Sequence, residues 1–130
     1  MAVRTYVHPT ATAAGSAGSA TASVTGTQVL TGMLKAIKVV QAGTPASTTD
    51  ITISITDGAT SLTILTLTDT NSASAWYYPR AQAHGVTGTA LTLDGTRLLV
   101  VEIPINGQIT VAVAQGDPNQ TCVVTVVYEG

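Results

Sequence analysis

Asp50-Ile-Thr-Ile-Ser-Ile-Thr56 decides the fold class. On an extended chain Ile51, Ile53 and Ile55 fall on one face, and Thr52, Ser54 and Thr56 on the other. A period of two marks a strand with one buried and one solvated face. The same beat returns at Ile109, Val111 and Val113, with Thr110, Ala112 and Ala114 between them. Leu62-Thr-Ile-Leu-Thr-Leu-Thr68 slips phase between Ile64 and Leu65, which predicts a bulge or a twist. Leu98-Leu-Val-Val101 and Cys122-Val-Val-Thr-Val-Val-Tyr128 are apolar on both faces. Such strands are central, or are covered on the outside by another subunit.

Turn chemistry separates these runs. Asp57-Gly58, Asp94-Gly95 and Asn106-Gly107 are dipeptides that tolerate positive φ in tight hairpins. Gly43-Thr-Pro-Ala-Ser47 and Gly116-Asp-Pro-Asn119 read as longer loops. Only Leu30 to Val40 could be drawn as a helix. Val29, Lys38, Val39 and Val40 favour a strand there, with Gly32 marking a bend. Eight or nine short strands predict an all-β fold, an antiparallel β-sandwich or barrel.

Residues 1–20 differ from the rest. Thr10-Ala-Thr-Ala-Ala-Gly-Ser-Ala-Gly-Ser19 is low in complexity and has no large side chain to bury. The expected organisation is a flexible N-terminal arm over 1–20 and one β-sandwich domain over 21–130. Val3, Tyr6 and Val7 give the tip of the arm something to insert into a neighbour.

Composition limits function. Charged residues make up 9% of the chain and the formal net charge is −2, against about 25% charged residues in ordinary proteins. The missing charge is replaced by small and hydroxyl residues, including 24 Thr. Five basic residues leave no electrostatic footprint for nucleic acid. No run approaches 18 apolar residues, so no membrane-spanning helix is expected. Residues 5–20 hold no continuous apolar stretch, so no secretory signal is expected either. Cys122 stands alone and supports neither an internal disulfide nor a cysteine-based zinc site.

The catalytic inventory is thin. His8, in the arm beside Pro9, reads as solvated, and His84 as a surface or interface residue. The acids Asp50, Asp57, Asp69, Asp94, Glu102, Asp117 and Glu129 are scattered singly, and three of them begin turns, where an Asp caps its own backbone. Asp69-Thr-Asn71 and Asp117-Pro-Asn119 also read as turn caps rather than calcium loops. The motifs of serine hydrolases, zinc proteases and phosphate-binding loops are missing. The expectation is a protein that is not an enzyme and uses no cofactor or metal.

One cluster stands apart: Ala75-Trp76-Tyr77-Tyr78-Pro79-Arg80 holds three of the five aromatic residues. On a strand Trp76 and Tyr78 share a face and Tyr77 takes the other. Pro79 ends the strand or puts it at an edge. One face fills the core, or the cluster anchors an interface, since Trp, Tyr and Arg dominate binding hot spots; stacking on a sugar is a third use. The candidate contact residues are Tyr6, Val7, Trp76, Tyr77, Tyr78, Arg80 and His84.

Thr-rich strands with apolar faces are hazardous if left as open edges. A chain with so little charge stays soluble most economically when copies of itself or a larger scaffold cover its sides.

The chain resembles the small all-β head-decoration (cement or auxiliary) proteins of tailed bacteriophages. The resemblance rests on the small-residue arm followed by Leu34-Lys-Ala-Ile-Lys-Val-Val40, Asp50-Ile-Thr-Ile-Ser-Ile-Thr56 and Trp76-Tyr-Tyr-Pro-Arg80. Gly85-Val-Thr-Gly88, Pro104-Ile-Asn-Gly-Gln-Ile-Thr-Val111 and Val126-Val-Tyr-Glu129 extend it over most of the chain. It implies a jelly-roll-like sandwich, a homotrimer made in the host cytoplasm. In the virion it would sit on the outer capsid surface, where major capsid protein subunits meet. There it would clamp the expanded shell against internal pressure, with the arm ordering on binding. Deleting residues 2–18 would then weaken capsid binding far more than stability.

Two other readings stay open. A carbohydrate- or receptor-binding module would use Trp76 with Tyr77 or Tyr78 as a stacking platform. A different virion building block, from tail or fibre, would form rings or filaments.

Overall fold

The computed structural model describes residues 2–92 and 95–130. It is all-β, and every strand pairing is antiparallel. The strands are β1 (Val3–Val7), β2 (Ala11–Thr12), β3 (Ala20–Ala42), β4 (Asp50–Thr56), β5 (Ser61–Leu67), β6 (Ser74–Tyr77), β7 (Ala81–Gln82), β8 (Val100–Val101), β9 (Pro104–Gly116) and β10 (Thr121–Glu129). Eight of them form one continuous sheet, and β7 pairs with β8 in a separate ribbon.

The 23-residue β3 turns that sheet into a sandwich. Its first half, Ala20 to Met33, pairs with β9. Its second half, Met33 to Ala42, pairs with β10, and Ile37 to Val40 also pairs with β6. One layer is therefore β1 and β2, β10, the second half of β3, then β6. The other is the first half of β3, β9, β4 and β5. Gly32 sits at the changeover with φ +149, and a Cβ there would overlap the Glu129 carbonyl. The helix alternative over 30–40 is excluded, and the bend at Gly32 stands.

The core follows the alternation. Ile51, Ile53 and Ile55 of β4 and Ile109, Val111 and Val113 of β9 are buried. On β10, Cys122, Val124, Val126 and Tyr128 are buried, with half-exposed residues between them. All join one cluster with Leu30, Leu34 and Ile37 of β3. Fully burying one such aliphatic side chain contributes about 1.5–3 kcal/mol. The phase slip in β5 is a bulge: Ile53 pairs with Leu65 and Ser54 with Thr63, so Ile64 is the extra residue.

Three expectations are corrected. The arm expected over 1–20 is not found in its described residues, 2–20. β1 runs along β10 from Val3–Glu129 to Val7–Thr125, and β2 continues along the same edge. The reason lies in β10, whose outer edge needs a partner, and in Tyr6, which drops into the core. Only residues 14–19 behave as the small-residue stretch suggests, turning tightly into β3 with Ser19 N donating to Ser16 O.

His8 is not solvated but buried, 2% exposed. Asn106-Gly107 is not a turn but part of β9. Gly107, with φ +152, is there because any side chain would strike the Thr56 carbonyl across the ladder. Asp57-Gly58 does form the β4–β5 turn, while Asp94 of the expected Asp94-Gly95 turn lies outside the described residues.

Candidate interaction surface

β6 places the aromatic cluster. Its register sets Trp76 opposite Lys38 and Tyr77 opposite Ile37. Alternation then sends Tyr77 inward, where it packs half-buried against the core, and Trp76 and Tyr78 outward, 48% and 65% exposed. Lys38 Nζ stands over the Trp76 ring, 5.7 Å from its centroid, a cation–π contact that holds the ring against the sheet. Arg80 follows, exposed, its Nη1 donating to the Lys35 and Pro79 carbonyls at 3.3 and 2.8 Å.

Beyond Arg80 the chain leaves the sandwich and returns at Ile103, whose carbonyl accepts from Leu34 N. Ala83 N donates to Leu99 O, Leu91 N to Ala83 O, and Leu99 N to Leu91 O, so three segments of this excursion hold one another in a ring of backbone bonds. The base of the excursion is fastened by Lys35, 2.6 Å from Glu102 and 3.8 Å from Glu129. The Glu102 hydrogen bond is the main reason the Lys35 ammonium lies above its usual pKa. None of residues 83–101 belongs to the core cluster. Val86, Leu91, Leu98, Val100 and Val101 are all exposed, Val86 fully.

The sequence candidates therefore divide. Trp76, Tyr78 and Arg80 are exposed. Tyr77 fills the core. His84 is exposed on the excursion, bridged to Ala90. Val7 is exposed on the edge strand β1. Tyr6 points inward, edge-on to His8 with ring centroids 6.0 Å apart.

Lys38, Val86 and Leu91 escaped sequence reasoning; no local pattern marks them. Leu98-Leu-Val-Val101 did carry a signal, since two apolar faces demand cover. In the structure Leu98, Val100 and Val101 are exposed and Leu99 is half-buried.

Among the described acids, Glu102 and Glu129 meet at the Lys35 ammonium, and the Asp50 carboxylate accepts from Asp69 N. Two open depressions, about 220 and 390 Å³, flank Asp57 and Asn106 at the β4–β5 turn. The Asp57 carboxylate is engaged there: its Oδ1 accepts from Thr60 N at 2.8 Å and Ala59 N at 2.9 Å. Those backbone donors hold its pKa below the usual 3.8. Asp117 Oδ1 does not cap its own turn but accepts from Gly18 N, 99 residues away. Among the described residues, no three His, Cys, Asp or Glu side chains group as metal ligands. Cys122 is buried, and burial pushes its thiol up to about 11, so it stays a protonated core residue.

No known family model matches the chain. No curated protein matches it either. Among solved structures it shows a likeness to the exo-β-1,3-galactanase of Phanerochaete chrysosporium with galactose, at 12% identity and a TM-score of 0.29. The match covers 98% of this chain but 30% of that one, and at this level it carries no argument about chemistry.

Proposed function

We propose that this chain is a non-enzymatic virion structural protein that decorates and stabilises the outer capsid surface as an oligomer. The observation that carries the reading is the set of large side chains exposed outside the core, Trp76, Tyr78, Val86, Leu98, Val100 and Val101. Large apolar and aromatic side chains outside the core, backed by a rigid sandwich, form a surface for protein contact. The scarcity of charge, 9% of the chain, suits a particle whose sides are covered. The resemblance to phage decoration proteins supplies the partner, a major capsid protein. Several modest contacts per oligomer would seat it without one tight site.

A glycan-binding module is the second reading, favoured by two exposed rings on one face. Lys38 weighs against it, because its ammonium occupies one face of the Trp76 indole.

Co-sedimentation with expanded capsids and a glycan array, both run with wild type and with Trp76→Ala and Tyr78→Ala, separate the two. Decoration predicts capsid binding that the variants lose, with melting temperatures unchanged because both rings are exposed. Glycan hits that vanish in the variants, with no capsid binding, would replace it.

A further inference from the structure

We infer that the 69–72 loop and the Gln41 side chain beneath it bind a calcium ion, held by Gln41 Oε1, the Thr70 and Ser72 carbonyls and the Asp69 carboxylate. The inference goes beyond the decoration reading and does not depend on it.

Its starting point is a buried polar atom. Gln41 continues the inward alternation of Ile37 and Val39 on β3 and is 4% exposed. No described donor reaches its Oε1. A buried amide oxygen left this way is rare in a folded protein and points to a bound water or ion. The other end of the amide is weakly held too. Nε2 donates to the Thr70 and Ser72 oxygens at 3.4 Å each, where such bonds favour about 2.9–3.0 Å.

The backbone fixes those oxygens in place. Thr70 N donates to Thr49 O at 2.8 Å, and Gln41 N to Ala73 O at 3.0 Å. The loop is thereby pinned beside the end of β3, with the Thr70 and Ser72 carbonyls at the Gln41 amide. Asp69 comes directly before Thr70, and its N donates to the Asp50 carboxylate at 3.0 Å. The Asp69 carboxylate itself has no hydrogen bond or ion pair among the described residues. It is therefore not the turn cap expected of Asp69-Thr-Asn71.

The spacing suits one ion. Calcium takes six to eight oxygens at about 2.3–2.6 Å, so two of its ligands at a right angle lie about 3.4 Å apart. Half a turn of the Gln41 amide about its terminal bond exchanges Nε2 and Oε1. Three oxygens then meet at that spacing, and they repel one another unless a cation lies among them. A water would satisfy Oε1 where it stands, but would leave both long bonds and the free Asp69 carboxylate without a reason. Carbonyl and carboxylate oxygens are the donors of a hard cation.

The test strips the full chain with EDTA and titrates it with calcium, magnesium and sodium chlorides, following heat by calorimetry and the melting temperature. Wild type should bind one calcium per chain with a midpoint of about 0.1–1 mM, the range of sites with few carboxylates. It should melt higher in saturating calcium. Magnesium, which demands a tighter octahedron, should give neither effect, nor should sodium. Gln41→Met keeps the buried bulk and removes the oxygen; Asp69→Asn removes the charge. Each should bind calcium about tenfold more weakly or worse. Asp57→Asn, beyond the other end of β4, should respond as wild type does.

A wild type that shows no calcium heat and no melting shift up to about 10 mM, well past the range of such sites, overturns the inference. So does Gln41→Met binding calcium as tightly as wild type, or an equal shift from magnesium or sodium, since either would reduce the effect to surface charge. Should Gln41→Met fail to fold, Asp69→Asn decides: unchanged calcium affinity there overturns the site.

Discussion

The imidazole of His8 lies 3.1 Å through Nε2 from the backbone oxygen of Ile109, 101 residues away. Its Nδ1 is 2.8 Å from the Pro9 oxygen. The position has a cause in register. Thr25 pairs with Thr110 and Val29 with Gln108, so residues 26–28 bulge away opposite Ile109. The imidazole and the Tyr6 ring fill the opening, and Gly26 lets them in, since a Cβ there would overlap Tyr6 Oη. A neutral ring donates to one of the two carbonyls; only the doubly protonated ring donates to both.

His8→Ala should therefore destabilise the protein by about 2–4 kcal/mol, through a cavity and a buried carbonyl left without its donor. Chemical denaturation of the variant measures it. A loss within about 0.5 kcal/mol, typical of surface sites, would show that His8 does not hold the N-terminal strand.

Deleting residues 2–13 should lower the melting temperature sharply and make the protein prone to aggregate. The truncation strips the outer edge of β10 and removes Tyr6 and His8 from the core. Thermal unfolding and light scattering report it. This is the opposite of what a detachable arm would give, and a truncated chain that melts like wild type would restore the arm.

Gly107 and Gly58 both have positive φ, +152 and +94. A Cβ at Gly107 meets the Thr56 backbone, whereas at Gly58 nothing lies within 4 Å. Gly58→Ala should cost about 1–2 kcal/mol of strain, and Gly107→Ala at least about 2 kcal/mol more, because the ladder must shift. Equal losses in denaturant titrations would show that close approach does not govern Gly107.

Cys122 sets an alkaline limit. Its pKa in the fold, about 11, lies above the ordinary 9.0. Between those values the unfolded chain has released a proton that the folded chain keeps, so stability falls as pH rises. The contribution is intact below about pH 9 and is lost by about pH 11, a change of about 2–3 kcal/mol. Tyr6, raised by its own burial, acts in the same direction at higher pH, so the comparison must be made against Cys122→Val. Wild type should lose more stability than the variant over that interval. Parallel curves would contradict the assignment.

What the sequence disclosed depended on how local the cause was. Alternation at Ile51, Ile53 and Ile55 needs only neighbouring residues, so β4 and its buried face could be read directly. The β5 bulge at Ile64 and the bend at Gly32 also leave local marks. The N-terminal strand did not, because its reason to exist is the open edge of β10 more than 100 residues away. Val3-Arg-Thr-Tyr-Val7 is too short to announce itself, and the small residues after it drew attention instead. His8 was missed for the same reason, although Gly26 inside a strand marks a close approach.

The Trp76–Arg80 cluster was legible as two-faced. Which ring went inward was set by the pairing of Trp76 with Lys38, visible only once β6 had a partner. The exposed residues of the excursion were legible only at Leu98-Leu-Val-Val101.

The most direct test of the central claim is image reconstruction of expanded phage capsids with and without the added protein. The account predicts additional density at symmetry-related positions on the outer shell, fitted by copies of this sandwich and touching coat subunits through the surface around Trp76 and Tyr78. Identical shells in both samples, with the protein left free in solution, would contradict it.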